Sequence, residues 1–215
     1  MRVFSSIRGT VKDGRIEEAA ELAGEAAKLV GRHGGDVRLL LVTAGDEADT
    51  TLFNVEYESP EAMGRAFDKM AADPELAALS GRAKAVGSPS LIGSESIGME
   101  VPTGRTAKPG RGSIIEVHSS TPKPGRMEQV VVESAEVCEF VETHGAVNAR
   151  LVQLTYAGPM SGMTALTWEH ESWAAHANLS EAWFSPAGLE LQARLASTDP
   201  ASVPIGGALY NDIPL

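Results

Sequence analysis

The residues in this chain that could move protons are its few histidines and the acids beside them. Ile114-Ile115-Glu116-Val117-His118 alternates, so Glu116 and His118 share one face of a strand. Histidine suits proton transfer near neutral pH, and a neighbouring carboxylate can orient it. The two are near each other but not ideally spaced for a direct bond. The apolar pair Ile115 and Val117 is expected to face helices, which turns Glu116 and His118 toward a barrel interior or solvent. A second group, Glu169-His170 with His176, crosses a strand-to-helix turn. His170 and His176 lack the i, i+4 spacing of a helical metal pair. With His118 and Glu116 or Glu169 they could assemble three histidines, or two histidines and a carboxylate, around an ion, but nothing in the spacing demands it. The catalytic candidates are therefore His118, Glu116, His170 and Glu169, and no metal ligand is assigned.

Side chains that line apolar pockets for aromatic ligands concentrate in the second half: Trp168, Tyr156, Trp173 and Met163, with His176 among them. Met160 and Trp183-Phe184 add to this. The first half offers Phe53, Tyr57 and Phe67 and reads as scaffold. His33 and His144 sit at matching helix ends, where a structural role fits them. Cys138 falls on an apolar helical stripe and reads as a buried, inert thiol. As the only cysteine, it can form no intrachain disulfide.

These residues depend on elements that occur twice. Thr10-Val11-Lys12-Asp13-Gly14-Arg15-Ile16-Glu17 matches Thr121-Pro122-Lys123-Pro124-Gly125-Arg126-Met127-Glu128, offset by 111 residues, and His33-Gly34 maps onto His144-Gly145 at the same offset. Slightly further along, Glu56-Tyr57-Glu58-Ser59 matches Glu169-His170-Glu171-Ser172. The order and near-constant spacing predict a tandem duplication. Each half reads as a strand (3–8; 114–119), a Gly-Arg turn and a helix with apolar period near 3.6. Two strands follow (37–43 and 50–57; 150–156 and 163–170), then a second helix and a closing strand (94–101; 208–213). Asp13 is expected to cap the first helix. Ser59-Pro60-Glu61 and Ser172-Trp173 begin the second helices, and Asp73-Pro74 restarts a short one to about Leu79.

The order βαββαβ predicts an α+β fold: tandem ferredoxin-like repeats forming a pseudo-dimeric α/β barrel. The halves are 1–102 and 113–215, the second carrying the pocket. The linker 103–112, rich in glycine and cations, reads as exposed irregular chain.

Composition bounds the rest. The chain has 215 residues and net charge −11, which argues against nucleic acid as a partner. The N-terminus lacks the long apolar stretch of a secretory signal. The longest uncharged run, Leu151 to Trp168, reads as two strands and a turn, so no membrane span is expected and the cytoplasm is the expected compartment. The glycines of 104–112 fit neither a P-loop nor a dinucleotide fingerprint, and no Gly-x-Ser-x-Gly elbow occurs.

The stretch Leu166-Thr167-Trp168-Glu169-His170-Glu171-Ser172-Trp173-Ala174-Ala175-His176 resembles the strand-to-helix signature of the dimeric α/β barrel superfamily. That group includes antibiotic-biosynthesis monooxygenase-like domains and small aromatic polyketide cyclases. The first half carries a degraded version, Phe53 to Ser59, and His170 stands where the signature's aromatic is usual. The resemblance implies a small-molecule pocket between sheet and helices or inside the barrel. Members act on aromatic substrates without metal or organic cofactor, bind haem, or have no demonstrated chemistry. The expected function is a cofactor-independent enzyme of specialised metabolism acting on a hydrophobic aromatic or polyketide-like molecule. It would be of cyclase or monooxygenase type, with His118 as base, Glu116 or Glu169 as its partner, and Trp168, Tyr156 and His176 as pocket wall. The alternatives are a non-catalytic small-molecule binding or accessory protein and a haem-binding barrel. Two fused halves leave a monomer open, while the superfamily's habit of pairing favours a homodimer.

Overall fold

Helix starts lie where the sequence puts capping residues. The Ser59 hydroxyl accepts the Ala62 N–H, Ser172 that of Ala175 and Ser185 that of Gly188, while Asp73 accepts those of Glu75 and Leu76. The first helix is an exception, as is its counterpart in the second half, which begins after Arg126. The first helix has Arg15 as its cap residue, with no side-chain cap bond, so the expected Asp13 cap is not formed. At its far end and its partner's, Gly34 and Gly145 take φ of +96° and +102°, the left-handed stop that glycine adopts without strain.

The computed structural model describes residues 1–45, 50–196 and 199–215. The first half runs β1 (Val3–Val11), α1 (Ile16–Arg32), β2 (Asp36–Ala44), β3 (Thr50–Tyr57), α2 (Pro60–Ala71), α3 (Pro74–Lys84) and β4 (Ser90–Val101). The second repeats this order as β5 (Ile114–Pro122), α4 (Met127–Thr143), β6 (Val147–Tyr156), β7 (Thr164–His170), α5 (Trp173–Trp183), α6 (Pro186–Leu195) and β8 (Ser202–Ile213), with a 3-10 turn at Gly158–Met160. No described helix is long and apolar enough to cross a membrane. Most strands run a little past the sequence expectation, and three elements exceed it by the widest margin. α3 continues past Leu79, and β4 and β8 begin earlier than 94 and 208. The early residues of these two strands are exposed (Leu91, Ile92, Val203, Ile205), so they show no burial alternation. Pairing holds them instead, Thr10 with Leu91 and Thr121 with Val203.

All eight strands pair antiparallel in the order β1-β3-β2-β8-β5-β7-β6-β4 and close into a barrel through β4 and β1. Each half contributes four neighbouring strands in matching order, and the halves meet at β2–β8 and β4–β6. α4 packs over β6 and β7, and α5 over β7, on the outside of the barrel. Val137, Cys138 and Val141 of α4 and Leu179 of α5 bury Trp168 there.

The faces of β5 are the reverse of expectation. Ile115 packs with Leu40 and Tyr210, joined by Val117 and Leu52, on the inside of the barrel. Glu116 and His118 point outward, on the helix-bearing side. The alternation was right, but the apolar layer that Ile115 and Val117 join is the one shared between the two halves, not the one under the helices.

The linker crosses one end of the barrel and is well anchored. Arg105 pairs with Glu142 at 2.7 Å, the Lys108 N–H donates to Glu142, and Arg111 pairs with Asp36 at 3.0 Å. Beneath it lies a buried ionic lattice. Arg38 pairs with Glu169 at 2.9 Å and with Asp212 at 3.2 Å, and Arg150 pairs with Glu56 at 3.0 Å. The Gly112 N–H and the Asn148 amide also donate to Glu169. Asn148 is the one described non-glycine residue with positive φ (+56°), at a bulge in β6.

Candidate active site

On the outer face of β5 and β7, Glu116 is shared by four side chains. Its Oε1 accepts from His118 Nε2 at 2.7 Å. Its Oε2 accepts from Trp168 Nε1 at 3.0 Å and His170 Nε2 at 3.2 Å. His176 Nε2, from the first turn of α5, stands 3.7 Å from the same oxygen. An ionised carboxylate only accepts, so the ring nitrogens facing it carry protons. Burial alone would raise the Glu116 pKa, but the bonds from His118 and His170 outweigh it and hold the carboxyl down at about 2.

The direct Glu116–His118 bond corrects the view that two positions along one strand face is too far. His118 leans along the strand and stacks on Trp168, with centroids 4.9 Å apart and planes 16° apart. Its side chain remains 51% exposed. Across the ladder it pairs with Gly207 of β8, where a Cβ would come within 3.2 Å of His118 Nδ1. The ring therefore lies over a bare glycine, with one nitrogen fixed by Glu116.

His170 is fully buried, and its Nδ1 has no hydrogen-bond partner. His176 meets it edge-on at 5.1 Å and meets the half-exposed Trp173 edge-on at 5.6 Å. The structure thus brings together Glu116, His118, Trp168, His170, His176 and Trp173. The other three candidates lie elsewhere. Glu169 alternates with Trp168 and His170 on β7, so it faces the barrel interior and is tied to Arg38; it cannot serve His118. Tyr156, 74% exposed, sits at the far end of β6 opposite Ile97. Met163 lies in the turn before β7, where its carbonyl accepts the Leu154 N–H. Both are at the end of β7 remote from His170.

Strand register gives the counterparts in the first half. Val3 pairs with Tyr57 as Ile114 pairs with His170. Ser5, Ile7, Val55 and Tyr57 therefore occupy the places of Glu116, His118, Trp168 and His170. Met63 stands as far past its helix cap as His176 does. None of these supplies an acid–base pair. Burial pushes the Tyr57 hydroxyl up to about 12.

The barrel interior holds a cavity of about 790 Å³, lined by both halves, among them Ser6, Arg8, Asn54, Ser96, Ser119 and Thr167. This cavity is shared by the two halves, whereas the residues gathered around Glu116 all come from the second. Sequence reasoning missed the paired cations Arg38 and Arg150, although a charged residue within an otherwise apolar strand, as in Arg38-Leu39-Leu40-Leu41, was the available signal. A haem with a histidine ligand does not fit either place. No histidine lines the cavity, and the Nε2 atoms of His118, His170 and His176 all turn toward Glu116.

No protein-family model matches the chain, and no curated protein matches it. Solved structures do. A proposed monooxygenase from Lactobacillus acidophilus NCFM superposes with a TM-score of 0.60 at 9% identity, covering 99% of this chain and 93% of that one. An arginine variant of chlorite dismutase from Candidatus Nitrospira defluvii gives 0.56 at 13% identity, covering 99% and 91%. An anthrone oxidase-like protein gives 0.53 at 12%, covering 99% and 92%. At these identities the likeness is one of fold alone: an α+β architecture with an eight-stranded antiparallel sheet and helices packed outside it.

Proposed function

We propose that the protein is an enzyme that removes a proton from a hydrophobic aromatic or polyketide-like small molecule, as monooxygenase and cyclase reactions of this kind both begin. The observation that carries this reading is His118. Its Nε2 is held by Glu116 at 2.7 Å, its face is fixed on Trp168, and its ring is half-exposed. With Nε2–H donated to Glu116, the lone pair of the neutral ring sits on Nδ1, and His118 takes the substrate proton there. Glu116 stays anionic and stabilises the imidazolium that forms. Beside the ring, a side chain at Gly206 would meet nothing within 4 Å, so a flat apolar ligand can approach the strand there. The monooxygenase-like neighbours support the same class, with molecular oxygen as co-substrate if the product is oxygenated.

The test is turnover of phenolic and enolisable aromatic compounds, followed by product mass and oxygen uptake. His118→Ala is expected to lower it by about 10²–10⁴. Unchanged turnover would remove His118 from the mechanism. The cavity inside the barrel favours a second reading, binding without chemistry. Saturable uptake of a ligand that is returned chemically unchanged would support that reading over the first.

A further inference from the structure

Three of the atoms around Glu116 are arranged better for an ion than for hydrogen bonds alone. The ligand-capable atoms of Glu116, His170 and His176 all lie within 4.8 Å of one another. Glu116 Oε2 is 3.2 Å from His170 Nε2 and 3.7 Å from His176 Nε2. The second distance is too long for a hydrogen bond, yet His176 aims its nitrogen at that oxygen. Nitrogen and oxygen ligands sit about 2.0–2.2 Å from a first-row divalent ion, so two ligand atoms on one ion are roughly 3.0–3.5 Å apart. Of the three spacings, Glu116–His170 already fits, Glu116–His176 needs a few tenths of an ångström, and His170–His176, within 4.8 Å, closes by movement of the same α5 side chain.

We infer that Glu116, His170 and His176 form a binding site for one divalent first-row transition-metal ion. Two imidazoles and one carboxylate suit zinc, iron(II) or cobalt(II) and leave further coordination positions open; each ring binds as the neutral form with its hydrogen on Nδ1, the Nε2 proton being displaced to Nδ1 or to solvent. The surroundings are those of a ligating carboxylate. The Trp168 indole N–H holds Oε2 from one side and His118 holds Oε1 from the other, which fixes Glu116 as a monodentate ligand. His170 is clamped by complete burial. The trio is not a requirement of the fold, because the first half places Ser5, Tyr57 and Met63 at the matching positions. His118 is not among the ligands; it touches the site only through Glu116 Oε1, so its loss can weaken the ion's affinity without removing a ligand.

The test is titration of chelator-treated full-length protein with cobalt(II), read by its visible absorption bands, and with zinc, read by calorimetry. One ion per chain is expected. His176→Ala, on the helix surface, is expected to weaken binding at least tenfold. His144→Ala, remote from the site, is expected to leave it unchanged, and His118→Ala is expected to keep the ion while losing turnover. Absence of saturable binding of both ions, or binding indifferent to His176→Ala, would overturn the site. Either result leaves the measured effect of His118→Ala on turnover standing on its own.

Discussion

At the scale of single residues, the clearest case is Gly207. A methyl group there would meet His118 Nδ1 at 3.2 Å, a contact that makes the ring give way by tenths of an ångström. The backbone tolerates alanine, so the change acts on the base and not on the fold. Gly207→Ala is expected to lower turnover about tenfold by misplacing that nitrogen. Its melting temperature should stay close to the parent's, and a large drop in melting temperature would show that the glycine is structural instead. Tyr57 makes a different point. Burial holds its hydroxyl at about 12, against 10 in an exposed chain. The folded state therefore keeps a proton that the unfolded state releases. The corresponding stability is whole below pH 10 and is lost as pH rises toward 12, by about 2–3 kcal/mol. Denaturation of Tyr57→Phe across that range should lack this alkaline loss. Cys138, buried and raised to about 11, is expected to resist thiol reagents until the protein unfolds.

Elements decide which of these residues meet. Alternation placed Glu116 with His118, and Trp168 with His170, on common faces, and that much was legible in the sequence. Which face looked outward was not, because Ile115 and Val117 are equally at home against helices or against Leu40 and Tyr210. Tyr156 and Met163 lie apart from the Glu116 group for a related reason. Sequence proximity to Trp168 says nothing about which end of β6 and β7 a residue occupies. Caps and turns were easier, since Ser59, Ser172 and Asp73 act through local bonds, whereas α1 begins without a side-chain cap. The linker read as loose, but Gly112 is a point of close approach. A Cβ there would come within 2.4 Å of the His170 carbonyl oxygen, and the Gly112 N–H holds Glu169. Gly112→Ala is expected to cost about 2–4 kcal/mol in chemical denaturation. A cost below about 0.5 kcal/mol, typical of surface changes, would mean that the linker can shift freely.

For the molecule as a whole, the two halves divide the work. Both supply the lattice that crosses the barrel, Arg38 to Glu169 and Arg150 to Glu56, in a reciprocal arrangement that ties each half to the other. Arg38→Met leaves Glu169 buried without its principal counter-charge and is expected to cost about 3–5 kcal/mol. The double variant with Glu169→Gln should recover part of that, a non-additivity measurable by a denaturation cycle. Among the described residues, the second half alone places an acid, three histidines and an indole on its outer face, and the proposed reaction therefore belongs to that face and not to the shared interior. The most direct test is a crystal structure of the protein with an unreactive analogue of whichever aromatic compound it turns over. The account expects the ligand against the outer face of β5, with an oxygen or acidic carbon beside His118 Nδ1 and a ring near Trp173. A ligand held instead inside the barrel, among Arg8, Ser96 and Thr167, would contradict it.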